Sequence, residues 1–290
     1  MIKGIILDID GVIVGEKIGF NSPYPHPDVI QKLKSLREKG IIISLCTAKP
    51  HYSIQKIIID AGLNNLHITN GGGVVIDPIN NVVLKKHVIN KEDSLRIIEA
   101  YFENNVYTEF YTVDDYFIQS DQVANITKIH THILQRDPKI VASLVDEAQK
   151  QEIVKIMPIA KDVNDKQRLI QIFEPLKDKA TLSWGVHPIA LPHLFAIITA
   201  TGISKKQAAL EIASEYNITP QELLGIGDST SDWQFIESCR YAGVVGNASD
   251  ELKRLIQTKT NGEYSIGKSV DENGILNILD YFSKLFQRDS

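Results

Sequence analysis

Cysteine, methionine and tryptophan are scarce in this chain of 290 residues, with two of each, and aromatic side chains make up only 7%. Two cysteines, Cys46 inside an apolar run and Cys239 beside an expected helix end, cannot build a disulfide framework, and they suit a reducing cytoplasm. Basic charge is not in excess: 31 Lys and Arg stand against 36 Asp and Glu, a net charge of −5. Without a Lys/Arg cluster, general binding to nucleic acid or to an anionic membrane surface is excluded as a function class. The first apolar run meets Asp8 too early to be a signal peptide or a membrane span. Internal repeats and low-complexity stretches are missing too.

What is there is an apolar fraction of 43% and a length that allows one large or two medium domains with well-buried cores. The first third alternates between strand and helix patterns. A strand over 4–8 is followed by a helix opened by Pro27-Asp28, with Val29, Ile30, Leu33 and Leu36 at helical spacing and Gly40 as its stop. Residues 41–46 are apolar throughout, as in a strand buried on both faces, and a helix runs from about Tyr52 to Ala61. Short strands follow at 67–69, 74–76 and 82–84.

From about His87 the rhythm changes. A helix over 91–103, a half-exposed strand over 106–113 returning through Tyr116-Phe117-Ile118, a helix over 138–149 and a strand over 154–157 form a separate α/β unit, read as an insert. The opening rhythm then resumes. Ser204-Lys205-Lys206-Gln207 and Thr219-Pro220-Gln221-Glu222 are two capping boxes that mark helix starts, and 241–248 is the last core strand and loop. The expected division is a core over 1–86, an inserted α/β cap over 87–199 and a second core part over 200–290.

Four motifs carry chemistry, and their order matters. Asp8 and Asp10 stand at the end of the first strand, where open α/β sheets bind ligands, and Gly11 lets the chain turn sharply there. An anionic pair in that crevice wants a cation. Thr47 and Ala48 end the second strand; Lys205 opens a helix; Asp228 and Asp232 follow Gly225-Ile226-Gly227, four residues apart, so a helix starting between them puts both carboxylates on one face. Each has a plainer reading: strand-end carboxylates capping a loop, an N-cap threonine, acids favoured by a helix N-terminus. A lysine in a first helical turn runs against the dipole, which favours a functional role for Lys205, with Lys206 as its rival.

In the order Asp-x-Asp-Gly, Thr, Lys, Gly-Asp-x-x-x-Asp, the chain resembles the haloacid dehalogenase-like (HAD) phosphohydrolases of the Cof type over about residues 1–86 and 200–280. The resemblance implies a doubly wound, Rossmann-like α/β core with an inserted α/β cap. It also implies Mg²⁺-dependent hydrolysis of phosphomonoesters of small metabolites, sugar phosphates first among them, through an aspartyl phosphate. Asp8 would be the nucleophile and Asp10 the proton carrier, its backbone carbonyl binding the metal. Asp228 would ligate Mg²⁺ directly, and Asp232 would support the metal or Lys205 from behind. Thr47, Ala48, Lys205 and Asn247 would bind phosphate. Val12, Lys49 and Ser231 stand where the family usually has threonine, arginine and asparagine. A sugar phosphomutase or phosphotransferase using the same aspartyl phosphate is the nearest alternative, and a non-catalytic phosphometabolite-binding protein is a further one.

Other features carry less. His130 and His132 would share a face if 129–133 were a strand, but no third ligand stands nearby. Tyr101, Phe102, Tyr107, Phe110, Tyr111, Tyr116 and Phe117 suit a cap-domain core better than a base-stacking platform, given the acidic net charge.

Overall fold

The computed structural model describes residues 1–260 and 262–286. In chain order the elements are β1 (Gly4–Leu7), α1 (Pro27–Glu38), β2 (Ile42–Leu45), α2 (His51–Asp60), β3 (His67–Thr69), β4 (Val74–Asp77) and β5 (Val82–Lys86). There follow α3 (Lys91–Glu103), β6 (Thr108–Tyr111), β7 (Tyr116–Gln119), α4 (Asn125–Leu134), β8 (Lys139–Val141), α5 (Leu144–Ala148), β9 (Lys155–Ala160), α6 (Val163–Phe173), β10 (Ala180–Gly185) and β11 (Leu194–Ala200). The chain closes with α7 (Lys205–Glu215), β12 (Leu223–Gly227), α8 (Thr230–Ile236), β13 (Tyr241–Val244), α9 (Asp250–Ile256), β14 (Tyr264–Ile266) and α10 (Gly274–Tyr281).

The main sheet is parallel, in the order β14-β13-β12-β1-β2. The chain winds outward from β1 to β2, then returns to β1's other side with β12 and winds the opposite way. That reversal leaves a crevice between β1 and β12 at their carboxyl ends. Alternation along β1 explains the two helix layers: Ile5 and Leu7 pack with Val29 and Leu33 of α1 and Ile275 and Ile278 of α10, whereas Ile6 packs with Ala208 and Ile212 of α7 and Phe235 of α8. The doubly wound core expected from the sequence is therefore the observed one. β3, β4 and β5 form a small antiparallel sheet beside it, joined through a bridge from Cys46 to Ile68.

The residues between β5 and α7 build a second sheet, in the order β10-β11-β9-β6-β7-β8, antiparallel apart from the β7–β8 pair. One face carries Phe110, Ile156 and Ile198 against Ile97 and Tyr101 of α3 and Leu169 of α6. The opposite face carries Tyr111, Met157 and Phe195 and packs on Ile133 and Leu134 of α4.

Several local expectations change. The strand expected to be half exposed is β6, and all four of its residues are buried, because it sits mid-sheet with both faces covered. The stretch 129–133 lies in α4, so His130 and His132, two residues apart on a helix, point to different sides and share no face. Residues 138–149 hold the edge strand β8 and the short α5 instead of one helix; Pro138 precedes the strand. The box at Thr219 closes reciprocally with Glu222, yet it caps a 3₁₀ turn of three residues that leads straight into β12. Beyond 241–248, β14 adds a further parallel edge strand.

The inner face of the second sheet holds an unusual polar group. Glu109, 0% exposed, accepts from Tyr111 Oη at 2.5 Å and Tyr107 Oη at 3.1 Å and lies 2.9 Å from His130 Nδ1. A buried carboxylate is tolerated only when its partners satisfy it, and here three side chains do. Glu109→Ala should therefore lower stability by about 3 kcal/mol, since the buried Tyr111 and His130 lose their carboxylate partner and half-buried Tyr107 keeps only Thr127. Urea denaturation of the variant measures this, and a change under 1 kcal/mol would mean that water replaces the carboxylate.

Candidate active site

Because β1, β2 and β12 are neighbours and parallel, their carboxyl ends open on one edge, and the motifs converge there. Asp8 follows β1, Thr47 lies just past β2, and Asp228 follows β12. Lys205 is the first residue of α7 and Asp232 lies in the first turn of α8. Two glycines make the approach possible. Gly11, at φ +79°, has the Asp228 carboxylate where a Cβ would sit, and a Cβ on Gly227 would meet the Asp232 side chain at 2.4 Å.

Lys205 Nζ bridges two carboxylates, donating to Asp8 Oδ1 and Asp232 Oδ1 at 2.7 Å each, and all three side chains are buried. The second oxygen of Asp232 accepts from the backbone N–H of Asp228 at 3.2 Å and of Ser229 at 3.1 Å, and from the Ser229 hydroxyl at 3.0 Å. With both oxygens engaged, Asp232 anchors Lys205 and the strand-to-helix turn. Lys206, the rival lysine, is exposed and lies 3.6 Å from Glu237.

One lysine does not balance three acids. Ligand atoms of Asp8, Asp228 and Asp232 lie within 4.8 Å of one another. Burial, with Asp232 adding to it, pushes the Asp8 carboxyl up to about 7. Burial, Asp232 and Asp8 raise Asp228 well above the usual carboxylate range. Surplus negative charge on hard oxygen donors fits a divalent cation such as Mg²⁺, which would return Asp8 to its ionised form.

Asp10 sits apart from that group in a cationic environment. Although burial alone would raise it, Lys49 Nζ at 2.8 Å and His187 Nε2 at 3.2 Å hold its carboxyl well below the usual range. Neither contact is aligned as a hydrogen bond to Oδ1: Lys49 forms an ion pair with it, and His187, which burial holds below its usual range, lies close beside it. Lys49 thus directs its charge at Asp10.

Thr47, buried, accepts the Lys49 N–H at 3.1 Å with its hydroxyl oxygen, which leaves the hydroxyl proton to donate. Asn247 donates to Gly11 O at 2.8 Å and accepts from Val270 N at 2.7 Å, so it braces the loop that carries Asp10. Ser231 meets the Ser229 hydroxyl at 2.8 Å. Sequence reasoning missed two residues. His187 comes from the loop after β10, whose return to Asp10 no local pattern announces. Lys155 donates to Ala48 O at 2.8 Å; a lone lysine in the otherwise apolar run 153–160 was its available signal. The cavity touching Asp10 is small, ≈ 50 Å³; grooves of ≈ 440 and ≈ 660 Å³ lie elsewhere and contain neither Asp8 nor Lys205, so chemistry and not volume marks the site.

The profile of the haloacid dehalogenase-like hydrolase family matches residues 5–279. The chain belongs to the haloacid dehalogenase-like hydrolases. Among curated relatives, Phosphatase YwpJ of Bacillus subtilis is 22% identical, covering 91% of this chain and 97% of that protein. Phosphoglycolate phosphatase of Staphylothermus marinus is 23% identical, covering 94% and 98%. Among solved structures, the HAD subclass IIB sugar phosphatase BT4131 has a TM-score of 0.78 at 21% identity, covering 97% of this chain and 99% of that one, a likeness of fold. Family membership and the relatives' names make this HAD protein an enzyme of the phosphatase kind, as the motifs led one to expect. No helix among its described residues is long and apolar enough to cross a membrane.

The carboxylate surplus gives a stability prediction. An acid whose folded pKa is raised binds more protons folded than unfolded, so between its unfolded and folded pKa values stability falls as pH rises, and at neutral pH the raised carboxylates oppose folding. Asp228→Asn removes one of them. In chelator at pH 7.5 the variant should melt higher than the parent, by roughly 2–4 °C per ~1 kcal/mol relieved, and should lose the parent's gain on adding Mg²⁺. Equal melting of both proteins in chelator, with equal gains from Mg²⁺, would contradict the charge surplus.

Proposed function

We propose that this HAD enzyme hydrolyses phosphomonoesters of small metabolites, sugar phosphates among them, in the cytoplasm and with Mg²⁺ as cofactor, and that residues 87–199 act as its cap. The observation that carries the reading is the Lys205 ammonium held between Asp8 and Asp232 beside a surplus of carboxylate at the sheet's crevice. Two buried free thiols, with Cys239 pushed up to about 12 by burial, suit a reducing compartment.

Asp8, Asp228 and the Asp10 carbonyl are the groups that would hold Mg²⁺, and the ion would supply positive charge against the phosphoryl oxygens. The Asp8 carboxylate attacks phosphorus while the bond to the alcohol oxygen breaks, giving an aspartyl phosphate. Lys205 offsets the charge spreading over the phosphoryl group, and Thr47 and the Ala48 N–H donate to it. Asp10 gives its proton to the departing alcohol and then takes one from the water that attacks the aspartyl phosphate, releasing phosphate and restoring Asp8. Because Lys49 and His187 keep Asp10 ionised in the free enzyme, it takes up the proton, from water or from a singly protonated ester, only once the anionic ester enters and competes for Lys49.

Asp8→Asn should abolish phosphate release from para-nitrophenyl phosphate with Mg²⁺ while the melting curve stays cooperative; retained turnover, or full wild-type activity in excess chelator, would refute the reading. Phosphate passed to an added sugar in place of water would favour the phosphotransferase.

Asp10→Asn should slow alkyl phosphates, whose alcohols need a proton to leave, about a hundred- to ten-thousandfold, and aryl phosphates far less. Lys205→Ala should slow every ester. Measured against a series of leaving groups, equal losses in Asp10→Asn would remove the proton-transfer role.

A further inference from the structure

The small cavity beside Asp10 holds an ammonium with no carboxylate in ion-pair contact among the described residues. Core residues Asp10, Ala48 and Lys49 form one wall; Lys155, His130 and His187 from the inserted unit form the facing one. Asp10 marks the cavity as the place of the ester's alcohol part, because the proton carrier must touch the departing oxygen. Three lysines are buried among the described residues: Lys49, Lys155 and Lys205. Lys49 pairs with Asp10 and Lys205 with Asp8 and Asp232, whereas Lys155 has no carboxylate within ion-pair distance among the described residues.

The Lys155 ammonium has three donors, and its hydrogen bond goes to Ala48 O; it also lies 3.5 Å from the centroid of the Tyr111 ring. Glu109 is close enough to be felt, but its oxygens already serve Tyr107, Tyr111 and His130. A buried cation so incompletely partnered is costly, and burial pulls Lys155 down to about 7. An anion entering the cavity would gain a partner and keep the lysine charged.

The rest of the lining narrows the choice. Ile133, Met157, Phe195 and Ile197 are apolar, so side chains for pairing with hydroxyls are confined to the few charged and imidazole groups already named, which favours a short ligand over a row of hydroxyls. At ≈ 50 Å³, with about 10–15 Å³ for each water-sized group, the space takes only a few non-hydrogen atoms.

We propose that Lys155 is a specificity-determining residue that selects esters whose alcohol part carries a carboxylate, a compact phosphorylated hydroxy acid in preference to a neutral sugar phosphate. The proposal rests on the phosphatase reading above and narrows its substrate class.

The test compares kcat and KM, with Mg²⁺, for 2-phosphoglycolate and 3-phosphoglycerate against glycerol 3-phosphate, glucose 6-phosphate and para-nitrophenyl phosphate, in the intact enzyme and in Lys155→Met. The intact enzyme should favour the two acids, and Lys155→Met should raise their KM about ten- to hundredfold with little change for para-nitrophenyl phosphate. Preference for the neutral esters in the intact enzyme would overturn the proposal, and so would a uniform loss across all five esters in the variant, since Lys155 would then merely fasten the insert to Ala48. If the intact enzyme hydrolysed nothing, the phosphatase reading would fall, and thermal shift with the same esters would still decide this one. Stabilisation by the acids that is absent in Lys155→Met supports it; equal stabilisation by acidic and neutral esters overturns it.

Discussion

A single ammonium holds the site together. Lys205 lies between Asp8 and Asp232 at hydrogen-bonding distance from both, and its position decides what each carboxylate can do. Asp232 is so fully engaged that it serves as an anchor, whereas Asp8 keeps one oxygen outside the pair. A cation in the first turn of a helix is disfavoured by the dipole, and two buried carboxylates more than offset this, raising the lysine well above its usual range. The surplus charge that remains calls for a metal. Close approach at Gly11 and Gly227 lets these groups crowd together without displacing the strands.

The two halves of the molecule contribute different groups to the same crevice. The core presents Asp8, Asp10, Asp228 and Asp232, while the inserted sheet brings Lys155, His130 and His187 to the opposite wall of the Asp10 cavity. Lys49, on the core side, turns toward Asp10. A phosphate ester with an acidic alcohol would thus meet metal and lysine at one end and lysine and imidazole at the other. Burial makes those contacts strong, because little water remains to screen them.

Much of this was legible because it is local. Asp8, Thr47, Lys205 and Asp228 each follow a strand or open a helix, and strand ends and caps leave clear marks: the apolar run before Asp8, Ser204 ahead of Lys205, Gly227 ahead of Asp228. The parallel core followed from fully apolar strands spaced by amphipathic helices. What stayed hidden depends on distant partners. Nothing near His187 says that its loop will reach Asp10, and the stretch holding Glu109 reads as a half-exposed strand until β7 and β9 flank β6 and three side chains satisfy the carboxylate. Residues 138–149 mislead for the same reason: β8 owes its extended form to pairing with β7, which propensity over a short window does not register.

The order of the core strands also sets when the enzyme can become competent. β1 lies between β2 and β12, yet Lys205 is 197 residues from Asp8 along the chain and β12 comes later still. On a ribosome β1 and β2 emerge early, and one long edge of β1 waits unpaired while the whole second sheet is made. That sheet is built from consecutive segments and can close on itself before the core is complete. Asp8 is thus among the first residues synthesised and among the last to be assembled, so a truncated chain carries it without the lysine that pairs with it, and with an apolar strand edge exposed to every neighbour.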